Sequence, residues 1–97
     1  MKTNTAVTAL AALAHESRLG VFKLLVKAGP AGLAAGDLSA RLRTPPSSLS
    51  FHLKELSRAG LVSSRQDGRF VIYSADYRAM DALVGFLTEN CCAESEC

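Results

Sequence analysis

Thr44-Pro45-Pro46-Ser47-Ser48-Leu49-Ser50-Phe51-His52-Leu53-Lys54-Glu55-Leu56-Ser57-Arg58-Ala59-Gly60 runs straight into Leu61-Val62-Ser63-Ser64-Arg65-Gln66-Asp67-Gly68-Arg69-Phe70-Val71-Ile72-Tyr73-Ser74. In the first part, Leu49, Leu53 and Leu56 fall on one face of a helix turning about 100° per residue. Thr44 is placed to cap that helix, and a proline fits its first position because no needed hydrogen bond is lost there. Gly60 stands where a helix ends in a left-handed residue. Beyond it the period changes from helical to alternating. Two β-prone runs, 61–65 and 69–74, flank Gln66-Asp67-Gly68, and Asp-Gly between such runs is a strong hairpin signal.

Outward from this stretch the helical period returns on both sides. Val7, Leu10 and Leu13 mark a first helix in an alanine-rich segment. A second helix covers 17–28, with Leu19, Phe22, Leu25 and Val26 as its stripe and Gly29-Pro30 as its stop. Ala31-Gly32-Leu33 reads as a connector. A short third helix spans about 34–42, with Leu38 and Leu42 turned inward. After the hairpin a last helix begins at Asp76, its apolar face marked by Met80, Leu83, Val84 and Leu87. The order predicts a mainly α (α+β) fold, a winged helix-turn-helix with about five helices and a two-stranded β-hairpin wing. Residues 1–90 form one DNA-binding and dimerisation domain, and 91–97 a cysteine-containing tail.

The chain of 97 residues suits one domain, and no apolar run is long enough to span a bilayer. Residues 6–14 resemble the apolar core of a signal peptide, but His15-Glu16-Ser17-Arg18 follows without a small-residue cleavage pattern. The expectation is an amphipathic helix in a cytoplasmic protein. The formal charge of +2 hides an asymmetry: residues 41–69 carry a net +4 and residues 76–97 a net −4. A basic middle suits a polyanion, and an acidic end suits a cation or plain solvent.

The fourth helix is the one expected to read DNA. Opposite its leucine stripe it carries Ser47, Ser50, Phe51, Lys54 and Arg58, with Ser48 beside them. Small hydroxyls let a helix approach base edges and phosphates, and Lys54 and Arg58 suit phosphate oxygens. Phe51 is a large aromatic with no core on its side, free to meet a thymine methyl. His52, at the flank of the stripe, is either a half-buried structural histidine bonded locally or a further phosphate contact. His15, in the turn before the second helix, reads as structural. Arg65 and Arg69 bracket the hairpin turn, where a wing reaches the minor groove or the backbone. The plainer alternatives are an amphipathic surface helix and a solvated hairpin tip.

Four segments together resemble the ArsR/SmtB family of bacterial metal- and metalloid-responsive repressors: His15-Glu16-Ser17-Arg18-Leu19, the run from Pro46 to Leu56, Ala59-Gly60-Leu61-Val62, and the run from Arg65 to Tyr73. The resemblance covers about 6–87. It implies a homodimer that binds double-stranded operator DNA without ligand and leaves it when ligand binds; the apolar residues of the first and last helices are expected to pair across the twofold axis. Of the ligand sites the family uses, the arsenic-sensing cysteines of the third helix are replaced here by Ala34 and Gly36. The zinc-sensing pattern on the last helix finds Asp76, Arg78 and Asp81 but no histidine. What remains looks like the arsenic repressors that carry an adjacent cysteine pair and a third cysteine beyond the last helix: Cys91, Cys92 and Cys97.

These are the only three cysteines of the chain, all within its last seven positions. An acidic, polar tail offers nothing to bury them, and an odd cluster at one end is no secreted disulfide framework. Soft thiolates select soft ions. Three sulfurs with no obligatory fourth ligand fit three-coordinate arsenic(III) or antimony(III) as inducer, whereas zinc normally takes four ligands. Cadmium and lead are competitors, and two of the thiols can instead oxidise together. On a continued helix, Cys91 would fall on the Met80 stripe and simply pack. To converge, the cysteines need the helix to fray near Asn90. No organic cofactor is called for and no membrane partner. An enzyme is unsupported, since there is no Cys-x-x-Cys and no nucleophile-base-acid set. The rival from another class is a winged helix serving as a protein-binding module.

Overall fold

The computed structural model describes residues 1–97. Its elements are α1 (Thr3–Leu13), α2 (Glu16–Ala28), β1 (Leu33–Ala34), α3 (Ala35–Leu42), α4 (Pro46–Arg58), β2 (Val62–Asp67), β3 (Phe70–Ala75) and α5 (Tyr77–Leu87). This is the winged helix-turn-helix expected, with its two-stranded hairpin wing, β2 and β3, and one strand beyond it. The sheet has three strands in the order β1-β3-β2, all antiparallel. The connector before α3 supplies the third: Leu33 pairs with Tyr73, and Ala34 with Ile72. Gly32 permits that approach. Its φ is +73°, and a Cβ there would collide with the Tyr73 carbonyl oxygen.

The helix-turn-helix is held from both ends. Leu38 of α3 and Leu49, Leu53 and Leu56 of α4 are fully enclosed against Val21, Phe22 and Leu25 of α2. Each leucine so buried contributes roughly 1.5–3 kcal/mol. At the start of α4 the expected cap fails. Thr44 Oγ1 donates to the Leu42 carbonyl, Pro45 is the N-cap residue, and no side chain caps the helix. Pro46 opens the helix, where a missing N–H costs nothing. At its end Gly60, with φ +77°, closes a Schellman motif: Gly60 N–H donates to the Ser57 carbonyl and Leu61 N–H to that of Leu56. The motif turns the chain into the hairpin. Asp67 pairs with Phe70, so the turn is Gly68-Arg69 and Asp67 ends the strand, one residue on from the expected centre.

α5 starts on Asp76, whose Oδ1 accepts from Ala79 N–H, and Tyr77 Oη donates to the Leu25 and Val26 carbonyls at the end of α2. α1 packs through Ala6, Ala9 and Ala12, and its larger Val7 and Leu10 stay exposed. Val84 and Leu87 of α5 are exposed likewise. No helix is long and apolar enough to cross a membrane.

Candidate nucleic-acid interface and thiol cluster

α4 presents Ser47, Ser48, Ser50, Phe51, Lys54 and Arg58 to solvent along one side, while Leu49, His52, Leu53 and Leu56 point into the core. Phe51 is 53% exposed, an unusual position for a large aromatic in a free subunit. Arg58 meets Glu55 at 3.8 Å on the surface, a pairing worth little that leaves the guanidinium free to exchange partners.

The wing arginines divide. Arg69 sits in the two-residue turn and projects from the tip. Arg65 lies within β2, where its Nη2 donates to the Ala31 carbonyl at 2.7 Å. It ties the wing to the loop before β1, so its first role here is to fix the angle of the hairpin.

His52 stands apart from the other expected contacts. It is 9% exposed, sits on the leucine stripe one turn from both Leu49 and Leu56, and leaves its Nδ1 buried without a partner. The local hydrogen bond expected for a structural histidine is absent as well. Its ring lies 5.0 Å from that of His15. His15 is itself structural: its Nδ1 accepts from Ser17 N–H and caps α2. Burial pushes the His52 pKa below the ordinary 6.5, and His15 and Arg18 push it the same way. The unfolded chain therefore takes the proton at a higher pH than the folded one. The stability supplied by the neutral ring is present above 6.5 and lost as pH falls through the folded-state value. We expect the melting temperature to fall more steeply from neutral to mildly acidic pH in the native chain than in His52→Gln. Parallel curves would contradict this.

Arg18 has no role in the sequence reading beyond its place in a matching segment. The structure sets its guanidinium 5.3 Å from the centre of the Phe51 ring. The signal was the spacing: Arg18 precedes Phe22 by four residues and Leu25 by seven, a charge at a core position of α2.

Beyond Leu87 the last helix stops, and turns carry the chain from Thr88 to Ser95, with Asn90 and Cys92 both at positive φ. A continued helix would separate Cys91 and Cys92 onto different faces, and these turns bring the thiols together. Cys91 Sγ is 3.5 Å from Cys92 Sγ and 3.8 Å from Cys97 Sγ. Cys92 and Cys97 are joined as a disulfide, with Cα atoms 5.3 Å apart, and Cys91 is the free thiol beside them. All three residues are exposed, so Cys91 packs on no apolar stripe. Metal–thiolate bonds are roughly 2.3 Å for zinc. Sulfurs closer together than about twice that length can share one soft centre. With the Cys92–Cys97 bond reduced to two thiols, the donor set fits a three-coordinate thiophilic ion.

A family model described as a helix-turn-helix domain matches residues 13–65. The transcriptional activator HlyU of Vibrio cholerae is 34% identical over 91 residues, covering 94% of this chain and 82% of that protein. A solved structure of HlyU from that organism superposes with a TM-score of 0.74 at 35% identity, over 95% of this chain and 99% of that one. An ArsR-like transcriptional regulator from a Rhodococcus species gives a TM-score of 0.77 at 28% identity, over 87% and 76% of the two chains. A Halobacterium salinarum protein named as a candidate arsenical resistance operon repressor, ArsR, is 37% identical over 78 residues, 80% of this chain and 59% of its own length.

Proposed function

Because the chain belongs to the ArsR/SmtB family of winged-helix transcriptional regulators, we propose that it is a homodimeric repressor that leaves its operator when arsenic(III) or antimony(III) is held by Cys91, Cys92 and Cys97. Its relatives are regulators and not enzymes, and they include an activator by name, so the sign of regulation belongs to the proposal. The observation that carries the inducer assignment is the three sulfurs gathered beyond α5, within 4.8 Å of one another, which the reduced protein offers together to a thiophilic ion.

The chain's own residues supply the rest. Ser47, Ser48, Ser50, Phe51, Lys54 and Arg58 face the groove, Arg69 takes the backbone at the wing tip, and Arg65 sets the angle of the wing. The exposed Val7, Leu10, Val84 and Leu87 pair across a twofold axis and fix the spacing of the two recognition helices. A soft three-coordinate ion, when bound, cross-links the tail. Gathering the thiolates then fixes the turns from Thr88 to Ser95 against α5, whose exposed face belongs to the dimer contact. By linkage, DNA weakens inducer binding as much as inducer weakens DNA binding.

One observation favours a second reading. The contact between Cys92 and Cys97, at a Cα separation inside the roughly 4.4–6.8 Å span of disulfides, supports a peroxide-responsive pair. Two thiols and one peroxide yield a disulfide and two waters. The test is a titration of the reduced protein, bound to a fluorescent duplex from upstream of its own gene, with arsenite, zinc or hydrogen peroxide. Release by arsenite alone is expected. Release only by zinc or peroxide would overturn the metalloid assignment and keep the regulator.

A further inference from the structure

Arg18 is a charged side chain without a protein partner in a place that costs free energy. Its Nε is buried and makes no hydrogen bond, and its guanidinium forms no ion pair with any carboxylate. A buried N–H without a partner is unfavourable unless something else completes it, and the rest of this half-buried guanidinium is open to a ligand from solvent. Beside it the Nδ1 of His52 is buried and unpartnered too. The neighbouring His15 uses its Nδ1 to accept from Ser17 N–H. The uncompensated charge of Arg18 therefore stands where α2 meets α4. The one carboxylate lining the adjoining groove is Glu55, whose ion pair is with Arg58 and not with Arg18. This combination calls for an anion.

Its location says which anion. Arg18 lies over Phe51, on the α2 side of the face that carries Ser47, Lys54 and Arg58. A phosphate flanking the groove entered by that face is the nearest anion a duplex offers, and guanidinium binds phosphate in a forked geometry that ammonium lacks. The cation–π contact, with the guanidinium carbon 5.3 Å from the Phe51 ring centre, orders the side chain without using its N–H donors.

We propose that Arg18, outside the helix-turn-helix and the wing, is a DNA-backbone contact: it takes one phosphate per subunit and at the same time positions Phe51 for the groove. The inference rests on the DNA-binding reading and is independent of the inducer.

The test compares native protein with Arg18→Met, which keeps the stem volume, and with Arg18→Lys. Affinity is measured by fluorescence anisotropy on a duplex from upstream of the gene and on a random duplex of equal length, from about 50 to 200 mM salt. Each phosphate that the protein no longer neutralises makes the slope of log K against log salt shallower by about 0.9. The expected result is that shift per subunit in Arg18→Met. Arg18→Lys should keep the native slope with weaker binding, because it retains charge and loses the stacked fork. A merely structural arginine would change stability and leave the slope alone. An unchanged slope in a folded Arg18→Met, or native affinity in Arg18→Lys, overturns the proposal. Native protein that binds neither duplex would remove the DNA reading, and this inference with it.

Discussion

With Cys91, Cys92 and Cys97 all changed to serine, the protein is expected to bind operator as the native chain does and to stay bound when arsenite is added. The three thiols are exposed and contribute nothing to the core, so the variant should fold and melt like the native protein. Serine hydroxyls are hard, neutral donors and do not replace soft thiolates. Allosteric coupling of ordinary size is about 1–3 kcal/mol. Arsenite should therefore weaken native operator binding roughly 5- to 150-fold and change the triple variant by under about twofold. Single variants separate the two thiol chemistries. Cys91→Ser keeps the Cys92–Cys97 contact, so peroxide should still join that pair while the arsenite response drops with the loss of one of three donors. Cys97→Ser should lose both. A Cys91→Ser protein with the full arsenite response would remove the three-thiolate site.

How far the sequence could be read depends on how local each cause was. The end of α4 was legible because one glycine, one positive φ and two backbone bonds make the Schellman turn within a few residues. The start of α4 was not, since two consecutive prolines moved the cap position onto Pro45 and sent the Thr44 hydroxyl back to Leu42. β1 is invisible in sequence: two residues carry no period, and the strand exists because Gly32 lets the chain lie against Tyr73, some forty positions away. In α1 the larger apolar residues drew the eye, yet the alanines are buried, because small side chains are what a helix needs to sit close to its neighbours. At the candidate sites, composition marked the serine-rich face of α4 and the terminal thiols. It could not reveal that Arg18 would lie on Phe51, nor that Arg65 would reach back to Ala31, because both are contacts between distant parts of the chain.

Those exposed residues of α1 and α5 lead to the other large effect. The double variant Val84→Glu, Leu87→Glu is expected to be a folded monomer with operator affinity reduced by about a hundredfold or more. The subunit measures 52 × 23 × 22 Å, and its radius of gyration of 14.9 Å exceeds the roughly 13 Å of a compact domain this size. It is elongated and leaves apolar surface uncovered. Val7, Val84 and Leu87 are each more than half exposed, and between α2 and α5 runs a groove of about 350 Å³ lined by Leu19, Val26, Met80 and Leu83 among others. Exposed apolar side chains beside such a groove on a small domain support the proposed twofold contact. Two carboxylates placed there meet their own copies across a twofold axis, so each substitution acts twice. Neither Val84 nor Leu87 belongs to the buried core, so the fold should survive, as circular dichroism would check. With one recognition helix in place of two, binding falls toward the non-specific level, which for such proteins lies about a thousandfold or more below the specific one. Sedimentation velocity reads the subunit count, and anisotropy on the same duplex reads the affinity. A variant that stays dimeric with native affinity would place the twofold contact elsewhere on the molecule.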